Sequence, residues 1–516
     1  MNLLDRRRFL QTTAAAALTS APLRSLAQAG AQPAGSVAAR LILHPDRPGP
    51  TIPQNFVGLS YEVEQLSDPG FFSVENPGLI KQMRALSPQG VLRLGGNTSD
   101  VGWWKPTPAS TQPPLPPTVV PSVEPNTKPF QTLAYSITPQ AISNLRSFLD
   151  ATGWTCLFGI NLATNTPARG AEQAAFVTAT LGPKLEYFQL GNEPDLFDRR
   201  FRDKATWNVD RYLDEWLLMA NAIRARVPDA RFGLPDTAGD PTWSSRIADR
   251  LGALPKGSGP GSRPNIAAVS HHYYFGGPPS NPQINIPRLM RPDPKVASVA
   301  LTTKAAANQL GVPYRMTEGN TCYQGGKPGV SDVFAAALWA ADYALFLASH
   351  GYAGVNIHGG GGKAVGNSLG GHLPGEALLP ANELGVTSHP RPFYTPIADM
   401  GGQYVAQPDF YGLLFAQQFA GATVIPLDFN PGPGLANPPN ATAYAALSPI
   451  GQTMIAIINK DEHLPLNLDL PGFSVGQQLT APSITSRSAQ LDEPQSYREA
   501  SIVPPASAVL LLSARI

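Results

Sequence analysis

Between residue 56 and about residue 420, short apolar runs alternate with amphipathic stretches of helical period, and the alternation repeats eight times. The runs occupy 56–64 (FVGLSYEVE), 90–96 (GVLRLGG), 155–164 (TCLFGINLAT), 185–193 (LEYFQLGNE), 230–236 (ARFGLPD), 266–274 (IAAVSHHYY), 312–319 (VPYRMTEG) and 354–360 (GVNIHGG). The clearest helical stretches fill 139–153, 209–227, 294–311 and 332–351. Parallel strands need a crossover, usually a helix, and eight strand–helix units close a sheet on itself. The pattern therefore predicts an α/β chain with a (β/α)8 TIM barrel over 56–421.

Past residue 422 the pattern changes to short strands with turn signals and no long helix (ATVIPLDF, AYAALSP, GQTMIAIINKD, LPLNLDL and SAVLLLSARI). This predicts an antiparallel β-sandwich over 422–516. The run ARLILHP at 39–45, within an N-terminal segment spanning 30–55, is expected to add a strand to it. A length of 516 residues suits one large barrel plus a smaller domain.

Residues 1–29 carry Arg6, Arg7 and Arg8, a weakly apolar alanine-rich stretch, and small residues at Ala27 and Ala29. This reads as a twin-arginine export signal, so a periplasmic or secreted location is expected. The apolar stretch falls short of the ~20 residues a membrane span requires and contains Gln11, Thr12 and Thr13. Removing the segment takes four arginines and one aspartate from 38 basic and 37 acidic residues, leaving a net charge of −2. That balance offers no footprint for nucleic acid, nor for a membrane surface once the signal is cleaved. The two cysteines, Cys156 and Cys322, have no metal-ligand spacing and read as free thiols.

In a TIM barrel the chemistry sits at the C-terminal ends of the strands. The fourth run ends in Asn192-Glu193-Pro194 and the seventh in Thr317-Glu318-Gly319, which aims two carboxylates into the barrel mouth. Either glutamate alone could be a solvated or capping residue. Two of them on separate strands of a rigid scaffold suit a retaining glycosidase, which needs two carboxyl groups about 5 Å apart. Two irregular stretches, 106–129 and 361–392, also leave strand ends on that face.

With GNEPDLF, HHYYF, TEGNTCYQGG and LRLGGNTSD in place, the sequence resembles the β-glucuronidase and heparanase-like family, glycoside hydrolase family 79, over essentially the whole chain after the signal. The resemblance implies a retaining β-glucuronidase without metal or cofactor, with Glu193 as acid/base and Glu318 as nucleophile. Its substrate would be terminal β-linked glucuronic acid on a glycan or glycoside, with or without a 4-O-methyl group. Arg93, which interrupts an apolar run, and Tyr274 are the candidates to hold the nucleophile, and His272 shares the strand face of Tyr274. Asn192 would donate to the sugar 2-hydroxyl. Glu64, in preference to Glu62, and Asn97 would meet other hydroxyls. Tyr323 with the backbone of Gln324 and Gly325 would take the C6 carboxylate, joined by Tyr394 despite the insertion at 361–392. A neutral-sugar glycosidase of the same clan, or a carbohydrate-binding protein with a degenerate site, are the competing readings.

Overall fold

The computed structural model describes residues 35–120, 132–257, 259, 261–379, 391–492 and 502–514. The predicted export signal, and part of each irregular stretch, lie outside these residues. Among the described residues no helix is long and apolar enough to cross a membrane.

Eight parallel strands close into a barrel in chain order: Val57–Glu62, Val91–Gly95, Thr155–Ile160, Leu185–Leu190, Arg231–Thr237, Asn265–Tyr274, Tyr314–Asn320 and Val355–Gly359. All eight predicted runs are strands. Each is followed by an outer helix, the last being Pro408–Gln417. Several helices start alike: Thr138 and Thr166 accept from the Ala141 and Arg169 amides, with proline in the first turn. That pairing satisfies orphan N–H groups and presets the backbone angle of the first turn.

The barrel interior sets how close the strands come. Near the strand starts it is filled by Val91, Leu157, Tyr187, Ala267 and Ala268. Glycines make room for the larger side chains: a Cβ on Gly58 would lie 2.3 Å from the Val91 carbonyl oxygen, and one on Gly233 2.4 Å from the Tyr187 ring.

The C-terminal strands form a six-stranded and a four-stranded sheet. Val37–Leu43 joins the smaller sheet, antiparallel to Leu427–Asn430 and parallel to Leu466–Leu468. The second pairing departs from a purely antiparallel sandwich, because the strand arrives from the far end of the chain and no hairpin dictates its direction. Along Thr453–Asn459, Ile455 and Ile457 face the sandwich core, whereas Met454, Ala456 and Ile458 face the barrel. Burial on both faces explains the unbroken apolar run.

Helix Phe334–Ser349 lies beneath that sheet and is buried almost all round. Its Asp342 accepts hydrogen bonds from Lys460 (2.7 Å), Thr442 (2.6 Å) and Tyr444 (2.7 Å), which fasten the sandwich to the barrel. Cys156 and Cys322 are buried free thiols.

Candidate active site

Arg93, on the second barrel strand, organises the mouth of the barrel and is wholly buried. Its guanidinium donates to Glu318 on the seventh strand (2.5 Å), Ser60 on the first (3.2 Å), Gln189 on the fourth (3.0 Å) and Asn192 beyond the fourth (2.9 Å). The same fork lies 3.2 Å from Nε2 of His272 on the sixth strand. A planar guanidinium can span so many strands because its donors diverge in fixed directions.

Glu318 also accepts from the Tyr274 hydroxyl (2.9 Å), and His358, on the eighth strand, stands 3.9 Å away. Burial by itself would raise the Glu318 pKa. The neighbours His358, His272 and Arg93, helped by Tyr274, outweigh burial and hold it well below the usual carboxylate range.

Glu193 stands in the left-handed region, at φ 49°, where the fourth strand gives way to a short turn at Pro194–Arg199. Its Oε1 is 3.0 Å from Nδ1 of His272. Its pKa is raised, first by burial and then by Glu318 and Asp195, although His272 pulls the other way. Ligand atoms of Glu193, His272 and Glu318 all lie within 4.8 Å of one another. This is the one set of three His, Cys, Asp or Glu side chains among the described residues close enough to share a metal ion. The cationic Arg93 fork already bonds Glu318 and touches His272 there, which disfavours a second cation.

Period-two alternation resolves the HHYY run. His272 and Tyr274 point inward to the two glutamates. His271 and Tyr273 point outward, bonded to the Tyr352 and Asp293 side chains (2.8 and 2.7 Å), and burial pushes His271 down to about 4.

Asn192 is held by the Asp100 carboxylate, which accepts its backbone N–H (2.8 Å), while its side-chain oxygen accepts from the Gly96 amide (3.1 Å). Its Nδ2 lies 3.5 Å from Asn97, in the turn after the second strand.

The expected placement of Glu64 at the end of the first strand needs correction. The strand ends at Glu62, and Glu64 sits in a 3-10 turn, Val63–Ser67, where it accepts from Asn367 (2.5 Å). Glu62 shares the inward face of Ser60 and accepts from the Thr98 amide and hydroxyl (2.9 and 2.7 Å). The inward alternation stops with the strand, so counting two residues further misplaces the carboxylate.

Tyr323 is 38% exposed and meets Tyr274 edge-on, with centroids 6.4 Å apart. Gln324, Gly325 and Gly326 follow in left-handed conformations. Tyr394 is buried beside Tyr274 and His358, so the insertion does not displace it from the site. The insertion includes the helix Gly362–Ser368, and its Val365, Leu369 and Leu373 pack with Tyr274 and Tyr394.

Sequence reasoning overlooked Asp236, His358 and Asp100. The first two end barrel strands in LPDT and NIHGG, a position that could have singled them out.

No model of a known protein family matches the chain. A β-glucuronidase of Aspergillus niger is 30% identical over 317 residues, 57% of this chain and 55% of the relative. One of Neurospora crassa is 28% identical over 292 residues, 52% of this chain and 50% of that one. The chain thus spans about half the length of the curated relatives it matches. Among solved structures, a 4-O-α-L-rhamnosyl-β-D-glucuronidase from Fusarium oxysporum superposes with a TM-score of 0.63 at 17% identity, covering 93% of this chain and 100% of that one. At that identity the likeness establishes the fold: a TIM barrel with an additional sandwich.

Proposed function

We propose that this chain is a retaining exo-β-glucuronidase that removes terminal β-linked glucuronic acid from a glycan or glycoside. The observation that carries the reading is the pair Glu193 and Glu318: two carboxylates with oxygens within 4.8 Å, one biased towards its protonated form and the other towards its ionised form. Closely spaced carboxyls whose environments push their acidities apart suit an acid and a nucleophile acting on one bond.

In this reading Glu193 protonates the glycosidic oxygen while Glu318 attacks the anomeric carbon, giving a covalent glycosyl-enzyme. Glu193, now ionised, takes a proton from water, and the water displaces Glu318. Two inversions retain the configuration. Tyr274 and Arg93 hold the Glu318 oxygens in line. Asn192 and Asn97 meet sugar hydroxyls, with Glu62 taking the inward place first given to Glu64.

The names of the two fungal relatives support a glucuronide substrate. The C6 carboxylate would be met by Tyr323, the backbone of Gln324 and Gly325, and Tyr394. Helix Gly362–Ser368 of the insertion, bonded through Asn367 to Glu64, suits a walled pocket and therefore cleavage from chain ends. The twin-arginine pattern of residues 1–29 supports a periplasmic or secreted location for this activity.

Proton NMR during the first minutes of hydrolysis of p-nitrophenyl β-D-glucuronide tests the reading. The β-anomer should form first, and Glu318→Gln should abolish turnover. Glu193→Gln should lose least on substrates whose leaving groups need no proton, with the covalent intermediate accumulating because the base of the second step is also gone. Direct release of the α-anomer would refute double displacement.

A further inference from the structure

Asp236 is the next-to-last residue of the fifth barrel strand, is 1% exposed, and touches the surroundings of both glutamates. Its backbone carbonyl accepts the N–H of Glu193 (3.1 Å). Both residues of that bond stand in the left-handed region, at φ 49° and 56°, which non-glycine residues rarely adopt. Its carboxylate accepts from the hydroxyl of Thr317 (2.6 Å), the residue before Glu318. The second carboxylate oxygen lies 3.5 Å from Arg93, and the first 3.9 Å from Nε2 of His272. From the other side, Asp195, two residues past Glu193, accepts the amides of Ala238, Gly239 and Asp240 (2.9, 3.1 and 3.3 Å), so the fourth and fifth strand ends are tied twice.

We propose that Asp236 is a positioning residue, fixing the backbone of Glu193, bracing Glu318 through Thr317 and Arg93, and balancing the charge of the Arg93–His272 pair between them. This rests on the reading of Glu193 as acid/base and Glu318 as nucleophile.

The electrostatic part has a definite sign. Glu193 is faced by His272 from the sixth strand, Glu318 from the seventh, Asp195 on its own turn, and Arg93 through His272 and Asn192. Removing the Asp236 charge leaves Arg93 and His272 less compensated, which favours ionised Glu193 and makes it a stronger acid. Arg93 then leans wholly on Glu318, which becomes a weaker nucleophile.

Asp236→Asn keeps the shape and an oxygen for Thr317 but removes the charge. With p-nitrophenyl β-D-glucuronide, kcat should fall about 10- to 100-fold with KM within about threefold. The alkaline limb of the pH profile should move down by about half a unit or more. Thr317→Val breaks the tie to the nucleophile strand and keeps the charge, so kcat should fall while the alkaline limb stays. Wild-type kcat and an unmoved limb in Asp236→Asn would overturn the proposal, because a purely structural role is satisfied by the amide. Should Asp236→Asn fail to fold by circular dichroism, Thr317→Val decides, and an unchanged kcat overturns it. Residual turnover in Glu318→Gln would instead refute the underlying catalytic reading, whatever the Asp236 variants do.

Discussion

Replacing Arg93 by methionine tests whether its charge, rather than its bulk, keeps Glu318 ionised. The guanidinium is buried and donates to Glu318 at 2.5 Å. With charge centres about 3.5 Å apart and an effective dielectric of about 20, the attraction is roughly 4 to 5 kcal/mol. At 1.36 kcal/mol per pKa unit this corresponds to about 3 units. Tyr274, His272 and His358 remain near the carboxylate, so a rise of about 2 to 3 units is expected on its removal.

In the proposed mechanism Glu318 acts only when ionised, so the acid limb of kcat/KM against pH should move upward by that amount. Arg93→Lys provides the control. It retains a positive charge but loses the fork that reaches Gln189, Asn192 and His272. Its kcat should fall while the acid limb stays near the wild-type position. The sign of the stability change follows from the depressed pKa of Glu318. That carboxylate contributes stability at pH values above its unfolded pKa, lost as pH falls through its folded pKa. Arg93→Met should therefore lower Tm most at neutral pH and least in strong acid. A methionine variant with reduced kcat but an unmoved acid limb would refute the electrostatic argument.

If Tyr323 meets the uronate as proposed, Tyr323→Phe removes one charge-assisted hydrogen bond, worth about 1.5 to 3 kcal/mol, so kcat/KM on the glucuronide should fall about 10- to 100-fold and on the matching glucoside far less; equal losses would move uronate recognition elsewhere. A walled pocket predicts release of single sugars from chain ends, and a rapid fall in the viscosity of a long glucuronate-containing polymer would contradict it. Lys460→Met leaves the partly buried carboxylate of Asp342 with the Thr442 and Tyr444 hydroxyls but without its cation, which should cost about 1.5 to 3 kcal/mol and lower Tm. Because Lys460 depresses that carboxylate, the gap from wild type should narrow as pH falls through the Asp342 pKa, and a pH-independent gap would argue against a charge effect.

Much of this protein is legible from local pattern. The periods of two and 3.6 residues come from covalent geometry, so eight strand–helix alternations and the switch to short strands after residue 422 could be read without knowing what lies nearby. Position at a strand end also singled out Glu193 and Glu318, since the ends of parallel strands emerge on one face of a barrel, and a charge interrupting an apolar run singled out Arg93. Tertiary structure decided which of these groups meet. Glu62 rather than Glu64 faces inward because the first strand stops where it does. Tyr394 returns to the site because Val365, Leu369 and Leu373 of the insertion pack with it and Tyr274. Asp236, one aspartate in an apolar run, gains its partners only when the fourth, fifth and seventh strand ends come together. Those distances depend on barrel closure and on the interior glycines that let neighbouring strands approach. They span up to 303 residues of chain, as between Glu64 and Asn367, and no local period encodes them.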